Sequence, residues 1–220
     1  MTAPATAFRT RMIACFAIIY IVWGSSYLVT SIGVHRLPPF LFGGVRFMIA
    51  GIALTAIAGA RGERIWIDAI DAKQILVMAL LSIAVSNGFN VWALQWVPSG
   101  QAALLNVTSS FWIAILGLFG ARAQAIDGRT GIGLALGFLG TLAIVWPSEG
   151  FSIAHFVPQI GILVGCMGWA AGTIYFRNAT KGLDILAFTG LQMFAGGTML
   201  TVTGLGLGEH HEWAWSTAGI

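Results

Sequence analysis

Charged residues are scarce in this sequence. Lys, Arg, Asp and Glu make up only 9% of its 220 residues, whereas a soluble domain carries roughly 25%. Hydrophobic residues make up 57% of the chain, and so few charges could not cover a soluble core of that size. The composition therefore excludes an ordinary soluble domain and predicts a membrane protein.

Cysteine and clustered positive charge are also lacking. The two cysteines, Cys15 and Cys166, lie in separate apolar runs and indicate neither a disulfide framework nor a metal knuckle. The formal net charge is +3, but the Lys and Arg residues are scattered singly and form no basic stripe. We therefore expect no nucleic-acid partner, no metal site and no cofactor.

The sequence does contain a series of long apolar runs. A bilayer core of about 30 Å needs roughly 20 helical residues, and lipid requires every backbone polar group to be bonded within the helix. We therefore predict an all-α polytopic membrane protein. Its seven transmembrane helices are expected at 12–34, 38–59, 74–97, 100–120, 130–147, 157–176 and 185–206.

The positions of Lys and Arg predict the orientation of these spans. With a cytoplasmic N-terminus, the outer connections hold Arg36 and the inner side holds all the other connecting basic residues. These are Arg9, Arg11, Arg61, Arg64, Lys73, Arg122, Arg129, Arg177 and Lys181. Because cytoplasmic loops carry the excess of Lys and Arg, we expect the N-terminus inside and the C-terminus of this chain outside, in the cell (inner) membrane.

A shift of 146 residues aligns the chain with itself. It places Trp23 on Trp169, Gly44 on Gly190, Gly51 on Gly197, Gly62 on Gly208 and Glu63 on Glu209. Five spans separate the two copies, so the second copy enters the membrane from the opposite side. Such inverted repeats are typical of secondary transporters.

The shift also predicts how the chain is divided. We expect a first five-helix repeat at 1–147 and an incomplete second repeat of two helices at 157–220. The counterparts of spans three to five would follow Ile220, so we expect the sequence to be the start of a ten-helix (5+5) fold and a truncated product or fragment. A partner chain or a homo-oligomer could supply the absent helices.

Two stretches resemble the EamA-like transporters of the drug/metabolite transporter superfamily. One is IIYIVWGSSYLVTSIGVHRLPPFLFGGVRFMIAGIAL at 18–54, with its Trp-Gly-Ser pattern and Pro-Pro turn. The other is ALQWVPSGQAALLNVTSSFWIAILG at 93–117, where Ser110 replaces the family's usual proline. The resemblance covers the whole chain and implies ten spans in two inverted halves that carry metabolites, amino acids or drugs, often outwards.

Polar and aromatic side chains within the spans are the candidate substrate site. Residues 23–27 lie about 16 to 22 Å into a 30 Å core, where polar groups face the protein interior or a wet cavity. The predicted substrate-binding residues are Trp23, Ser26, Tyr27, Arg46, Asn87, Asn90, Thr108, Trp112 and Trp169. By the repeat, the indoles of Trp23 and Trp169 are expected to meet.

Each candidate also has a structural interpretation. Gly24 and Ser25 are typical of close helix packing, and Asn87 and Asn90 could bond neighbouring helices. Arg46 is either a structural arginine or a partner for a substrate carboxylate. The glycines of spans five and six, such as Gly161-x-x-x-Gly165, also favour packing.

The function that these patterns predict is transport rather than catalysis. The four histidines lie in connections and no Asp or Glu lies within a predicted span, which excludes the clustered groups that an enzyme needs. We expect a carrier of small metabolites or drugs, an amino-acid or amphipathic-compound exporter, that works by alternating access. Without a buried carboxylate, we expect gradient-driven exchange rather than proton coupling. The alternative is a non-transporting fragment or scaffold that needs a partner chain.

Overall fold

The described part of the chain is built from helices alone. A computed structural model describes residues 3–119, 126–145, 153–178 and 184–211. The elements are α1 (Ala3–Val34), α2 (Pro39–Ala60), α3 (Ala69–Met78), a π-helical segment (Ala79–Val85), α4 (Ser86–Ala93), α5 (Ser99–Asn106), α6 (Ser109–Gly117), α7 (Gly128–Val145), α8 (Ile153–Asn178), α9 (Ile185–Gly206) and a 3₁₀ turn (Glu209–His211).

Six helical stretches among the described residues are long and apolar enough to cross a membrane. They are Phe8–Val34, Pro39–Ala60, Ala69–Ala93, Ser99–Gly117, Phe156–Arg177 and Ile185–Gly206. The prediction of seven spans is therefore met for six. The fifth predicted span, 130–147, coincides with α7 as far as Val145, and residues 146–147 lie outside the described residues.

The third span begins earlier than the sequence predicted. The Asp68 side chain accepts hydrogen bonds from the backbone N–H groups of Ile70 and Asp71, and such an N-cap starts the helix at Ala69. Asp71 thus lies in the first turn of the span and is only 2% exposed. The statement that no acidic residue lies within a span was wrong, and it was the premise for excluding proton coupling.

Helices α2 and α9 pack antiparallel at very close range. A Cβ atom added to Gly44 would lie 2.8 Å from the carbonyl oxygen of Gly197, and one added to Gly51 would lie 2.7 Å from that of Gly190. Glycine at these four positions lets the two backbones touch. This helix pair is the central contact of the fold.

The contact between α2 and α9 is reciprocal. Thr55 Oγ1 donates to Gly51 O over 2.8 Å, and Thr201 Oγ1 donates to Gly197 O over 2.9 Å. Thr55 packs against Gly190, and Thr201, which is 146 residues further along, packs against Gly44. Equivalent residues of the two helices therefore make equivalent contacts.

The glycines of α8 allow close helix packing, as predicted, and the structure shows that their partner is the third span. A Cβ atom on Gly165 would lie 2.9 Å from Ser86 O, and one on Gly168 would lie 2.9 Å from Leu81 O. The glycines of α7 differ, because a Cβ atom on Gly133 or Gly140 would meet no atom of the described part of the chain within 4 Å. Close packing thus fixes α8 on the third span, and the prediction of glycine packing is wrong for these two positions of α7.

Candidate functional site

A cavity of about 630 Å³ lies between α1, α2, the third span, span four (α5 and α6) and α8. This volume is within the range of pockets that bind small molecules. Of the nine residues proposed from the sequence, seven line the cavity. They are Trp23, Ser26, Tyr27, Arg46, Asn87, Asn90 and Trp169.

Two of the proposed residues are not among those that line the cavity. Thr108 is 5% exposed, and its hydroxyl group donates to Leu105 O over 2.6 Å. Trp112 packs against the apolar cluster that includes Leu105 and Cys166. Both residues therefore lie behind the cavity wall and contact the helices that form it.

One wall of the cavity is aromatic. The indole rings of Trp23 on α1 and Trp169 on α8 meet edge to face, with centroids 6.4 Å apart and an angle of 67° between their planes. The predicted contact between these indoles is confirmed. Trp23 remains 56% exposed, so this ring offers apolar surface to a molecule in the cavity.

Amide side chains form a polar part of the cavity wall. Asn106 Nδ2 donates to Asn90 Oδ1 over 2.7 Å and to Ala102 O over 2.9 Å. Asn90 Nδ2 donates in turn to Ser86 O over 2.8 Å. This pair joins α4 to α5 and satisfies amides whose burial would otherwise cost free energy.

Asn87 differs from this pair in its bonding. Its Nδ2 group donates to the backbone oxygen of Ser82 over 2.9 Å. Within the described part of the chain it makes no hydrogen bond to another side chain. Asn87 is thus the amide that is best placed to bond a guest molecule.

Arg46 is the charged residue in the cavity wall. Its Nη1 atom donates to Thr30 Oγ1 over 2.6 Å, and Thr30 Oγ1 donates to Ser26 O over 2.7 Å. The guanidinium also lies 5.1 Å from the ring centre of Phe47 and 5.8 Å from that of Phe42. In the described part of the chain, the ion pairs are those of Arg64, so no carboxylate neutralises Arg46.

The structure adds cavity residues that the sequence did not single out. Ser86 and Ser109 line the cavity, and so does Gly24. Within the described residues, a Cβ atom on Gly24 would meet no atom within 4 Å, which contradicts the packing role expected for this residue. Ser86 could have been recognised because it lies four residues before Asn90, on the same face of α4.

Irregular backbone in two spans explains why the cavity residues there were not all predicted correctly. The π-helical segment Ala79–Val85 directly precedes Ser86 and changes which residues share a face. In span four, Val107 N bonds to Leu104 O over 3.1 Å, three residues back. The helical spacing that pointed Thr108 and Trp112 at the cavity therefore does not extend across this turn.

The chain matches known transporter sequences. The profile of the EamA-like transporter family matches residues 10–146. The "Uncharacterized inner membrane transporter YedA" of Escherichia coli (strain K12) is 34% identical over 201 residues, which are 89% of this chain and 62% of that protein. The "Uncharacterized transporter YvbV" of Bacillus subtilis (strain 168) is 28% identical over 89% of this chain and 63% of its own.

A more distant relative has a name that states a substrate. The "Probable amino-acid metabolite efflux pump" of Escherichia coli (strain K12) is 24% identical over 165 residues, which are 73% of this chain and 52% of that protein. No solved structure matches the chain. The chain spans about three fifths of the length of the curated relatives it matches first, 62% in the case of YedA.

The family profile covers more than half of the chain, and the YedA relative matches most of it at 34% identity. The helices long and apolar enough to cross a membrane fit a multi-pass membrane protein. This protein belongs to the EamA-like transporter family.

Proposed function

We propose that this protein carries small amphipathic metabolites or drug-like compounds across the inner membrane by alternating access. The observation that carries the proposal is the cavity of about 630 Å³, which joins an aromatic wall, amide groups and a cation without a carboxylate partner among the described residues. Amphipathic molecules offer the apolar body and the polar head that such a pocket accommodates. The names of the relatives, an inner membrane transporter and an amino-acid metabolite efflux pump, support both the location and the class of cargo.

Each cavity residue has a role in this proposal. Trp23, Tyr27 and Trp169 hold the apolar part of the substrate. Arg46 binds a substrate carboxylate, since its guanidinium has donors beyond the one that Thr30 accepts. Ser26, Asn87 and Asn90 bond the polar groups. Thr108 and Trp112 lie behind the cavity wall and hold span four against α8.

The ten-helix inverted repeat is part of the proposal. The sequence is divided into a first repeat, 1–147, and the start of a second, 157–220. The reciprocal contacts of α2 and α9 support this division, because a two-fold axis between them would exchange Gly44 with Gly190 and Gly51 with Gly197. Carriers of this architecture bind substrate at the interface of the repeats, where Trp23 and Trp169 meet.

The distribution of basic residues supports an orientation with the N-terminus in the cytoplasm. Arg61 and Arg64 lie between the second and third spans, Lys73 lies near the start of the third span, and Arg36 lies between the first and second spans, on the other side. With this orientation and the efflux pump as a relative, we propose export as the direction of transport.

Growth protection tests the proposal. Cells that overproduce the chain are challenged with a panel of toxic amino-acid analogues and amphipathic drugs, and efflux of any protective compound is then measured in proteoliposomes. We expect protection against at least one compound, loss of protection with Arg46→Gln or Trp23→Ala, and no loss with Ile132→Val. Ile132 is 65% exposed on α7 and does not line the cavity.

Two outcomes of this test would contradict the proposed function. Equal protection by the chain and by its Arg46→Gln and Trp23→Ala variants would show that the cavity is not the transport site. Protection by none of them, with each correctly inserted, would count against transport by this chain.

A further inference from the structure

The same two-residue sequence follows α2 and α9. Gly62 and Gly208 both have positive φ angles, 75° and 83°, which only glycine adopts without strain and which end the helix. A glutamate comes next in each case, Glu63 after α2 and Glu209 after α9. The two Gly-Glu pairs are 146 residues apart.

Glu209 binds the first turn of the opposite helix. Its carboxylate accepts hydrogen bonds from the backbone N–H groups of Phe40, over 3.2 Å, and of Leu41, over 2.9 Å. Glu209 is 8% exposed, and no cap bond comes from Pro38, the residue that precedes α2. The carboxylate therefore satisfies amides that α2 cannot bond itself, at the positive end of the helix dipole.

The geometry of the helix pair predicts a position for Glu63 that is equivalent to the position of Glu209. Glu209 lies 12 residues after Gly197, and Leu41 lies three residues before Gly44. Glu63 likewise lies 12 residues after Gly51, and Ala187 lies three residues before Gly190. Because both pairs of glycines touch, Glu63 belongs beside the first turn of α9, next to the N–H groups of Leu186 and Ala187.

The two glutamates nevertheless differ in their bonding. Within the described part of the chain, the buried Oε2 atom of Glu63 has no hydrogen-bond partner. Asp184, which precedes α9, makes no side-chain cap bond either. One end of the α2 and α9 pair is thus fastened by its glutamate, and the equivalent end is not.

We infer that Glu63 and Glu209 are reciprocal latches, which means that their carboxylates alternately bond the first turn of the opposite helix. In the structure the Glu209 latch is closed and the Glu63 latch is open. In the opposite conformation, Glu63 accepts hydrogen bonds from Leu186 and Ala187 while Glu209 releases Phe40 and Leu41. This inference rests on the alternating-access cycle proposed above. A fold with two equivalent ends passes between its two conformations by exchanging the contacts of those ends.

Amide hydrogen exchange on the chain in lipid nanodiscs tests the latches. Exchange is measured at residues 40–41 and 186–187 by mass spectrometry with electron-transfer fragmentation, for the unaltered chain, Glu209→Gln and Glu63→Gln. Glutamine keeps the size of the side chain but removes its charge, which we expect to change latch occupancy roughly two- to fivefold. Glu209→Gln is expected to speed exchange at 40–41 and to slow it at 186–187, and Glu63→Gln to do the opposite.

The alternative is a pair of independent caps. In that case each variant changes exchange only at the helix its own glutamate contacts, and this result would overturn the inference. Should Glu209→Gln fail to fold, Glu63→Gln alone decides, because slower exchange at 40–41 is expected only if the ends are coupled. Efflux is measured on the same preparations: transport without coupled exchange refutes the latches alone, and coupled exchange without transport refutes the proposed function.

Discussion

The indole rings of Trp23 and Trp169 meet edge to face in the wall of the cavity, with their centroids 6.4 Å apart. They belong to α1 and α8, helices far apart in the sequence, and both rings line the cavity. A substrate that enters between them has to contact or separate the pair. The pair is therefore the part of the proposed site that reports most directly on binding.

We expect Trp23→Ala and Trp169→Ala each to reduce efflux of the protective compound about tenfold. Each change removes a large apolar contact and also leaves the other ring without its partner, and an edge-to-face aromatic pair adds about 0.5–1.5 kcal/mol beyond its area. The double variant is expected to lose less than the sum of the two single losses. Initial efflux rates from proteoliposomes measure all three. Simple additivity would mean that the rings act separately.

Arg46→Gln is expected to abolish transport of acidic or zwitterionic substrates and to leave folding intact. The guanidinium is the cavity group that can bond a carboxylate at two points, and glutamine cannot replace its charge. Efflux of a zwitterionic compound and of its ester is compared for the unaltered chain and for the Arg46→Gln variant. The ester is expected to be transported equally by the two.

Thr30→Val is the matched control for Arg46. It removes the hydroxyl that accepts from Nη1 over 2.6 Å but keeps the charge. We expect a smaller loss of efflux than with Arg46→Gln. Equal losses would indicate that the two residues serve only to hold α1 against α2.

The order of the helices could be predicted from apolar runs, and α9 was predicted with both its ends, 185–206. The start of the third span could not, because Asp68, Asp71 and Lys73 look like a connection. A capping carboxylate adds polar residues to a helix without adding hydropathy. Hydropathy measures transfer into lipid, whereas caps and close contacts determine where the backbone stays helical.

The candidate site was predicted wherever the helices stay regular. Trp23, Ser26 and Tyr27 share α1, which runs without a break from Ala3 to Val34, and all of them line the cavity. Thr108 and Trp112 follow an irregular turn in span four, where the regular helical spacing no longer applies. No feature of the sequence predicts that turn. A proline would have indicated it, but Ser110 stands where the resemblance led us to expect proline.

The amide pair of Asn90 and Asn106 makes a prediction about stability. Asn106→Leu removes the partner of Asn90 Oδ1 and leaves a buried acceptor unsatisfied, which costs about 1–3 kcal/mol. We expect a lower midpoint of thermal unfolding in detergent. The double variant, with leucine in place of both Asn90 and Asn106, is expected to recover part of that loss, because the unsatisfied Oδ1 acceptor of Asn90 is then also removed. A double variant less stable than Asn106→Leu would contradict this account.

The contact between α2 and α9 predicts an intolerance to side chains. Gly51→Ala places a methyl group against the backbone nitrogen of Phe194 and 2.7 Å from Gly190 O, so the two backbones have to separate. We expect this variant to lose most of its correctly folded yield, measured by size-exclusion chromatography in detergent. Gly133→Ala is the control, since its methyl group meets no atom of a described residue within 4 Å, and its yield should equal that of the unaltered chain.

The cap of the third span predicts a dependence of stability on pH. The N–H group of Asp71, helped by Ile70 and Arg64, holds the pKa of the Asp68 carboxyl below its ordinary value. A carboxyl whose pKa is lower in the folded state stabilises the fold at neutral pH, and this contribution disappears as the pH falls through the lowered pKa. The thermal midpoint of Asp68→Ala should therefore lie below that of the unaltered chain at pH 7 and approach it as the pH falls below the ordinary pKa of an aspartate carboxyl, about 3.9. Asp184→Ala is the matched control, because Asp184 precedes α9 without a cap bond, and a similar convergence with this variant would show that the effect is not specific to the cap.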